Sequence, residues 1–387
     1  MEKRVVRIFV ILKILEGACL GFIATTYVPF LLERGLTLFQ ANQVNIAFMF
    51  VNMLLDPLTG SLADKIGQRK TYLSGFLFVG LGNLIYGVGH GFLFFVLAES
   101  IAAVGTALWS EALESWIRSL YGKEVSHKAI AKAGYSSRFF SVAFGFIGAL
   151  AAARFGLHIP WFIGCAGAVV GVIAGFILTR GFPDPIKTSE EIRKGSLTDA
   201  FKLFAKVPEL RFAAVVTCVS AMSYQALNMF WSPIFKELSG SVSWLGYIWA
   251  GVAVFTALGL RMIRDIHNPG KRIIGILTLL TGIPVFLSAL FFGHNLLVLL
   301  AGFLMHEIGR GGAIPTIFTY SNDFIPDEIR STSNSIRSSS RTVGAVLGLL
   351  ISGFLTEIIS PIQVWVLCGA TLMLLSVWIL FSGKNLR

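Results

Sequence analysis

The sequence predicts an all-α membrane protein of twelve transmembrane helices in two six-helix pseudo-repeats, on the strength of three observations. The 387 residues are 55% hydrophobic and only 14% charged, with a mean hydropathy of +0.74, whereas soluble domains carry about 25% charge. Apolar runs of bilayer-crossing length, about 20 residues each, recur along the chain. Polar features of the first half return in the second at a near-constant offset.

Read by that length, the first six spans fall near 7–32, 40–62, 70–89, 92–116, 133–155 and 159–179. The second six fall near 209–235, 242–263, 272–292, 295–321, 332–357 and 361–382. Residues 1–180 are thus expected to form one bundle and 209–387 another, joined by a charged cytoplasmic linker, 181–208, that opens on F-P-D-P. The first run is long and lacks a small-residue cleavage site, so it is expected to be a retained helix. With the N-terminus in the cytoplasm, only Arg34, Arg154 and Lys236 of the 32 Lys and Arg lie on the far side, and Lys13, Arg138, Arg310, Arg337 and Arg341 lie within spans. That bias supports cytoplasmic N- and C-termini.

The net charge of +11 does not point to nucleic acid, because the basic residues sit in short loops between spans. The four cysteines, Cys19, Cys165, Cys218 and Cys368, lie in apolar segments without metal-ligand spacing and read as small buried hydrophobes. No metal or cofactor is expected. A nucleophile elbow, a zinc-protease motif and a P-loop are all absent from the sequence, which argues against an enzyme.

The most informative stretch is Asp56–Lys70, D-P-L-T-G-S-L-A-D-K-I-G-Q-R-K, read as a short polar turn between the second and third spans. Gly60 suits close helix approach, Asp64 suits a helix N-terminus or a cation, and Arg69 and Lys70 suit anionic headgroups. Gly60, Asp64, Gly67, Arg69 and Lys70 stand at spacings resembling the signature loop of the major facilitator superfamily, G-x-x-x-D-x-x-G-R-[RK]. Leu260–Arg272 is a degraded copy, in which Asp265 answers Asp64 and Lys271 with Arg272 answers Arg69 with Lys70. Arg138 precedes Gly145, and Arg337 precedes Gly344, by the same interval. The resemblance covers essentially the whole chain. It implies a transporter in the plasma membrane built from parallel six-helix repeats.

Ionisable residues inside spans cost roughly 2.5–3.5 kcal/mol on insertion scales and usually face a partner or a cavity. Here they are Glu16 (with Lys13 one turn earlier), Asp56, Glu99, Glu111, Glu114, Arg138, Glu307, Arg310, Arg337 and Arg341. The resemblance implies a central cavity lined by the first, fourth, seventh and tenth helices, where substrate or protons would reach Glu16, Glu99 and Glu307. A carboxylate in such a cavity takes and releases protons near neutral pH. Glu111 and Glu114 share a helix face and are candidates for a gating ion pair with Arg138 or the signature loop. Arg337 and Arg341 share a face in the same way. The competing reading is static pairing: Glu307 stands three residues before Arg310 and so can simply neutralise it, and His306 reads as a packing residue.

In the seventh span, Gln225 and Asn228 form a polar patch among Tyr224, Phe230 and Trp231. Tyr224 and Asn228 are the two expected in the cavity, while Trp231 suits an interfacial belt. The antiporter motif of proton-coupled exporters in the superfamily, G-x-x-x-G-P-x-x-G-G, has no counterpart here. Phe144–Ala153 reads F-G-F-I-G-A-L-A-A-A, which keeps small-residue packing but no proline. The expected function is secondary active transport by alternating access, as a monomer in the bilayer, with proton-coupled efflux of amphipathic small molecules ahead of uptake of a nutrient or organic anion. A non-transporting receptor on the same scaffold is the reading from another class.

Overall fold

The structure is a computed structural model that describes residues 2–109, 112–184, 203–266, 269–326 and 330–382. The side chains of Asp56, Pro57, Gly60, Ser61 and residues 330–336 also lie outside the description. Its helices are α1 (Glu2–Gly21), α2 (Tyr27–Glu33), α3 (Leu38–Ile66), α4 (Gln68–Val88), α5 (Phe92–Trp109), α6 (Ala112–Phe155) and α7 (Ile159–Thr179), followed by α8 (Pro208–Ser239), α9 (Ser243–Met262), α10 (Lys271–Phe292), α11 (Leu296–Asn322), α12 (Arg330–Leu355) and α13 (Pro361–Ser382). Among the described residues there is no strand. In lipid, a helix satisfies its own backbone without water, which is why apolar runs of this length fold this way.

Contacts divide the chain into two compact units, Met1–Ile192 with Ser241–Trp249 and Arg193–Gly240 with Ala250–Arg387. Within the first, α1 packs on α6 and α7, and α4 packs on α5 and α7. Within the second, α8 packs on α12 and α13, and α10 packs on α11 and α13. These are the same four pairings, so the repeat read from the sequence is a repeat of packing. Glycines set the closeness of one such pairing in both units. A Cβ on Gly148 of α6 would meet the Phe22 carbonyl of the segment after α1, and Cβ atoms on Gly344 and Gly348 of α12 would meet the Cys218 and Met222 carbonyls of α8. The core of the first unit gathers Phe9, Leu12, Tyr72, Phe76, Trp109 and Trp116.

Three local expectations are corrected. The first span is not one helix, because residues 22–26 form a turn between α1 and α2. Thr25 there donates to the Gly145 carbonyl at 3.2 Å, a tertiary bond that offsets the lost helical ones. The polar turn expected over Asp56–Lys70 shrinks to Gly67, since α3 stays helical through Ile66. The gap expected between the fourth and fifth spans is helical too, broken at Gly122, whose φ of 76° and ψ of −177° suit glycine.

Among the described residues, ten segments are long and apolar enough to cross a membrane. The first expected span is not one of them, because α1 is interrupted after Gly21 and carries Arg4, Arg7, Lys13 and Glu16. The fourth and fifth count together as Phe92–Phe155. Of the expected linker, residues 185–202 lie outside the described residues.

Candidate functional site

The second unit holds a polar cluster in an apolar surrounding. On α8, Tyr224 and Asn228 stand four residues apart and so share a face. On α11, His306, Glu307 and Arg310 fall within little more than one turn. Arg310 Nη1 donates to Asn228 Oδ1 at 2.8 Å and to Glu307 Oε1 at 3.1 Å. Its guanidinium lies over the Tyr224 ring, 5.0 Å from the centroid, where the ring face attracts a cation. Thr256 of α9 donates to Glu307 Oε2 at 3.0 Å, and His306 Nε2 stands 3.4 Å from Glu307 Oε1. The Glu307 side chain is 5% exposed and that of Arg310 23%. A buried carboxylate thus holds an arginine whose other side remains reachable. Among the described residues the buried hydroxyl of Tyr224 makes no hydrogen bond of ordinary geometry, with Ser220 and Thr281 as polar neighbours.

The first unit holds a smaller pair. Lys13 Nζ lies 2.9 Å from Glu16 Oε2, and the Tyr72 hydroxyl of α4 donates to the same oxygen at 3.2 Å. Half-buried Glu114 of α6 is within electrostatic reach of Glu16. Glu99 of α5 is buried elsewhere in this unit and accepts from the Tyr86 hydroxyl at 2.5 Å. Glu111 lies outside the described residues. Arg138 is exposed, with no hydrogen bond or ion pair among the described residues, so Glu114 and Arg138 are not brought together.

At the signature turn, Gly67 has a φ of 105° and separates α3 from α4. Asp64 accepts from Gln68 Nε2 at 3.4 Å, while the N-terminus of α4 is capped by Asp184. The Asp184 carboxylate accepts from the backbone N–H of Arg69 at 2.9 Å and of Lys70 at 3.3 Å. The Arg69 side chain donates to the Thr179 carbonyl at the end of α7, 2.9 Å away. Gly60 lies on helical backbone in α3, its surroundings outside the description, and the exposed Asp265 sits in the turn after α9.

Arg337 caps the end of α11, donating to Ser321 Oγ at 2.9 Å and lying 3.7 Å over the Phe318 ring. Arg341, on the same helix, is exposed. Sequence reasoning missed Asp184, Thr256, Tyr72 and Tyr86. Each acts on a different helix, from 13 residues away for Tyr86 to 115 for Asp184, and only the F-P-D-P segment carried a local signal. Among the described residues no cluster of His, Cys, Asp and Glu is arranged to hold a metal ion.

The profile of the Major Facilitator Superfamily matches residues 9–264 and 213–385. The chain belongs to this superfamily and is a multi-pass membrane transporter, not an enzyme. It is 21% identical over 368 residues to the uncharacterized MFS-type transporter YxaM of Bacillus subtilis, covering 90% of this chain and 88% of that one. Multidrug resistance protein 1 of B. subtilis is 22% identical, covering 92% of each chain. The quinolone resistance protein NorA of Staphylococcus aureus is 22% identical, covering 91% of this chain and 90% of that one. Among solved structures, the nucleoside transporter NupG superposes with a TM-score of 0.78 at 14% identity, over 99% of this chain and 100% of that chain. A peptide transporter of the POT family superposes with a TM-score of 0.77 at 13% identity, over 98% and 94%. Both show the shared fold.

Proposed function

We propose that this transporter exports small amphipathic molecules in exchange for protons, as a monomer with both termini in the cytoplasm. The observation that carries the reading is the sharing of Arg310 between Glu307 and Asn228 over the Tyr224 ring. With Glu307 ionised, the cluster is close to neutral and accepts a lipophilic cation or a neutral compound against its aromatic face. A proton on Glu307 leaves Arg310 without its countercharge, and the cluster then repels a cation. Binding of proton and cation therefore exclude one another, which is the condition for exchange. Relatives named for multidrug and quinolone resistance support the direction. Glu16, held by Lys13 and Tyr72, serves as a second charged position in the first unit, and the segment from Gly60 to Lys70, with its turn at Gly67, acts at the cytoplasmic gate.

The same arginine favours one other reading. If protonation of Glu307 frees Arg310 for a substrate carboxylate, the protein takes up an organic anion together with a proton. Binding of a lipophilic cation and of an organic anion to the purified protein, at about pH 6 and pH 8, separates the two. Tighter cation binding at the higher pH, abolished in Glu307→Gln, is the expected outcome. Tighter anion binding at the lower pH moves the assignment to uptake. Binding independent of pH in both series sinks the role of Glu307.

A further inference from the structure

Glycine contacts align the two units at one further place. A Cβ on Gly105 of α5 would meet the Gly75 carbonyl and the Val79 N–H of α4, and a Cβ on Gly309 of α11 would meet the Leu277 carbonyl and the Thr281 N–H of α10. The contacted pair is spaced by one helical turn in both cases. Gly105 and Gly309 therefore hold equivalent positions of the repeat, and so do the residues that follow them, Thr106 and Arg310. Glu307, three residues before Arg310, has Ala103 as its counterpart.

Thr106 also reaches across to a neighbouring helix. Its hydroxyl donates to Asn52 Oδ1 of α3 at 3.1 Å, sharing the proton with the Ala103 carbonyl at 3.0 Å. Asn52 Nδ2 donates to the Phe48 carbonyl one turn earlier, at 3.1 Å. In the second unit α9, which carries the degraded copy of the signature loop as α3 carries the original, supplies Thr256 to Glu307. Each cluster thus draws one polar side chain from the same helix of the repeat.

Asn52 stands 14 residues after Leu38, the first residue of α3, and Thr106 stands 14 after Phe92, the first of α5. Both lie about 21 Å along their helices, inside segments of membrane-crossing length, and both are half-buried. Hydrocarbon offers a polar side chain nothing to bond, so the exposed part of this pair faces water or a bound molecule. A carboxamide can donate twice and accept twice. Among the described residues Asn52 uses one donor and one acceptor, and one of each remains.

The pair carries no charge, in contrast to the cluster around Arg310. It suits a neutral amide, whose carbonyl and N–H complement what Asn52 has left. From this repeat we infer that Asn52 and Thr106 form a second recognition site, in the first unit, for the amide group of a transported molecule. Asn52 makes the contact, and Thr106 holds its side chain in place. The inference rests on the reading of the Arg310 cluster as a ligand site.

Binding of two compounds to the purified protein tests it. Procainamide is a lipophilic amine that carries an aromatic amide, and tetraphenylphosphonium is a lipophilic cation with no hydrogen-bonding group. Asn52→Leu keeps the volume and removes the amide. It should weaken procainamide binding about five- to tenfold, the scale of a net hydrogen bond, and leave tetraphenylphosphonium binding unchanged. Thr106→Val should weaken procainamide binding about two- to fivefold and again spare tetraphenylphosphonium. This second variant decides the matter if Asn52→Leu does not fold. Equal losses for both compounds, or no loss for either, overturn the site. In Glu307→Gln, tetraphenylphosphonium binding equal to that of the wild type overturns the exchange reading, and a selective procainamide loss in Asn52→Leu still upholds this site.

Discussion

Asp184 accepts a 2.9 Å hydrogen bond from the backbone N–H of Arg69, a residue 115 positions earlier in the chain. With the second bond from Lys70, its carboxylate occupies the N-terminus of α4, where free N–H groups and the helix dipole both favour an anion. Arg69 returns the contact by donating to the end of α7. Asp184→Ala should therefore destabilise the protein by about 1 kcal/mol, read as a fall in Tm. Asp184→Asn keeps an acceptor and should lose less. An unchanged Tm in both would remove Asp184 from this role.

Gly67→Ala should cost more than Asp184→Ala. Its φ and ψ, 105° and 135°, lie in a region that costs other residues about 1–3 kcal/mol, and an added Cβ would fall on the Asp184 carboxylate. Only the second penalty depends on Asp184. The double variant should therefore be less destabilised than the sum of the singles. Strict additivity in thermal unfolding would show that the two residues do not collide.

Glu307→Gln should abolish uphill transport in proteoliposomes and weaken binding of a lipophilic cation, because the neutral amide leaves Arg310 without its countercharge, while binding of a neutral compound survives. The amide oxygen can still accept from Arg310, and the Thr256 hydroxyl can turn to accept from the amide N–H, so the local geometry is retained and the titratable charge is gone. Arg310→Lys should impair binding more than its conserved charge suggests, because one ammonium does not reproduce a planar group shared between Asn228 and Glu307 and stacked on Tyr224. Full uphill transport by Glu307→Gln would exclude it from coupling.

Tyr224 separates the ring from its hydroxyl. Among the described residues the hydroxyl makes no hydrogen bond of ordinary geometry, so Tyr224→Phe should leave the Tm nearly unchanged, and any loss of affinity would assign the hydroxyl to the ligand. Tyr224→Ala removes the face beneath Arg310, an interaction of about 0.5–2 kcal/mol, and should reduce both stability and binding. Equal binding losses in the two variants would contradict a separate role for the ring.

The span pattern was legible because lipid leaves so few ways to satisfy a backbone, and the repeat was legible because both halves kept Asp, Arg and Gly at matching places. The pairs Lys13–Glu16 and Glu307–Arg310 could be read from helical spacing alone. What lay beyond the sequence was whatever needed a partner from another helix. Thr256 is one hydroxyl in an apolar run, and its bond to Glu307 spans 51 positions. Asp184 sits in a segment that reads as linker. The D-P at Asp56–Pro57 reads as a turn yet lies within a continuous helix, while residues 22–26 lack Gly and Pro and still leave the helix. In both cases local propensity was outweighed by tertiary packing.

Gly122 makes the junction inside α6 with a single residue, leaving no loop between the segments that flank it. Such a joint has no slack. In a helix each residue advances the direction of its side chain by about 100°, so the length of this joint fixes the rotational phase of everything downstream to Phe155. Gly145 and Gly148, where an added Cβ would meet the Trp249 indole and the Phe22 backbone, face the right way only because the count from Gly122 is what it is. One inserted residue would turn the whole segment like a key cut one notch off, while composition and mean hydropathy would scarcely move.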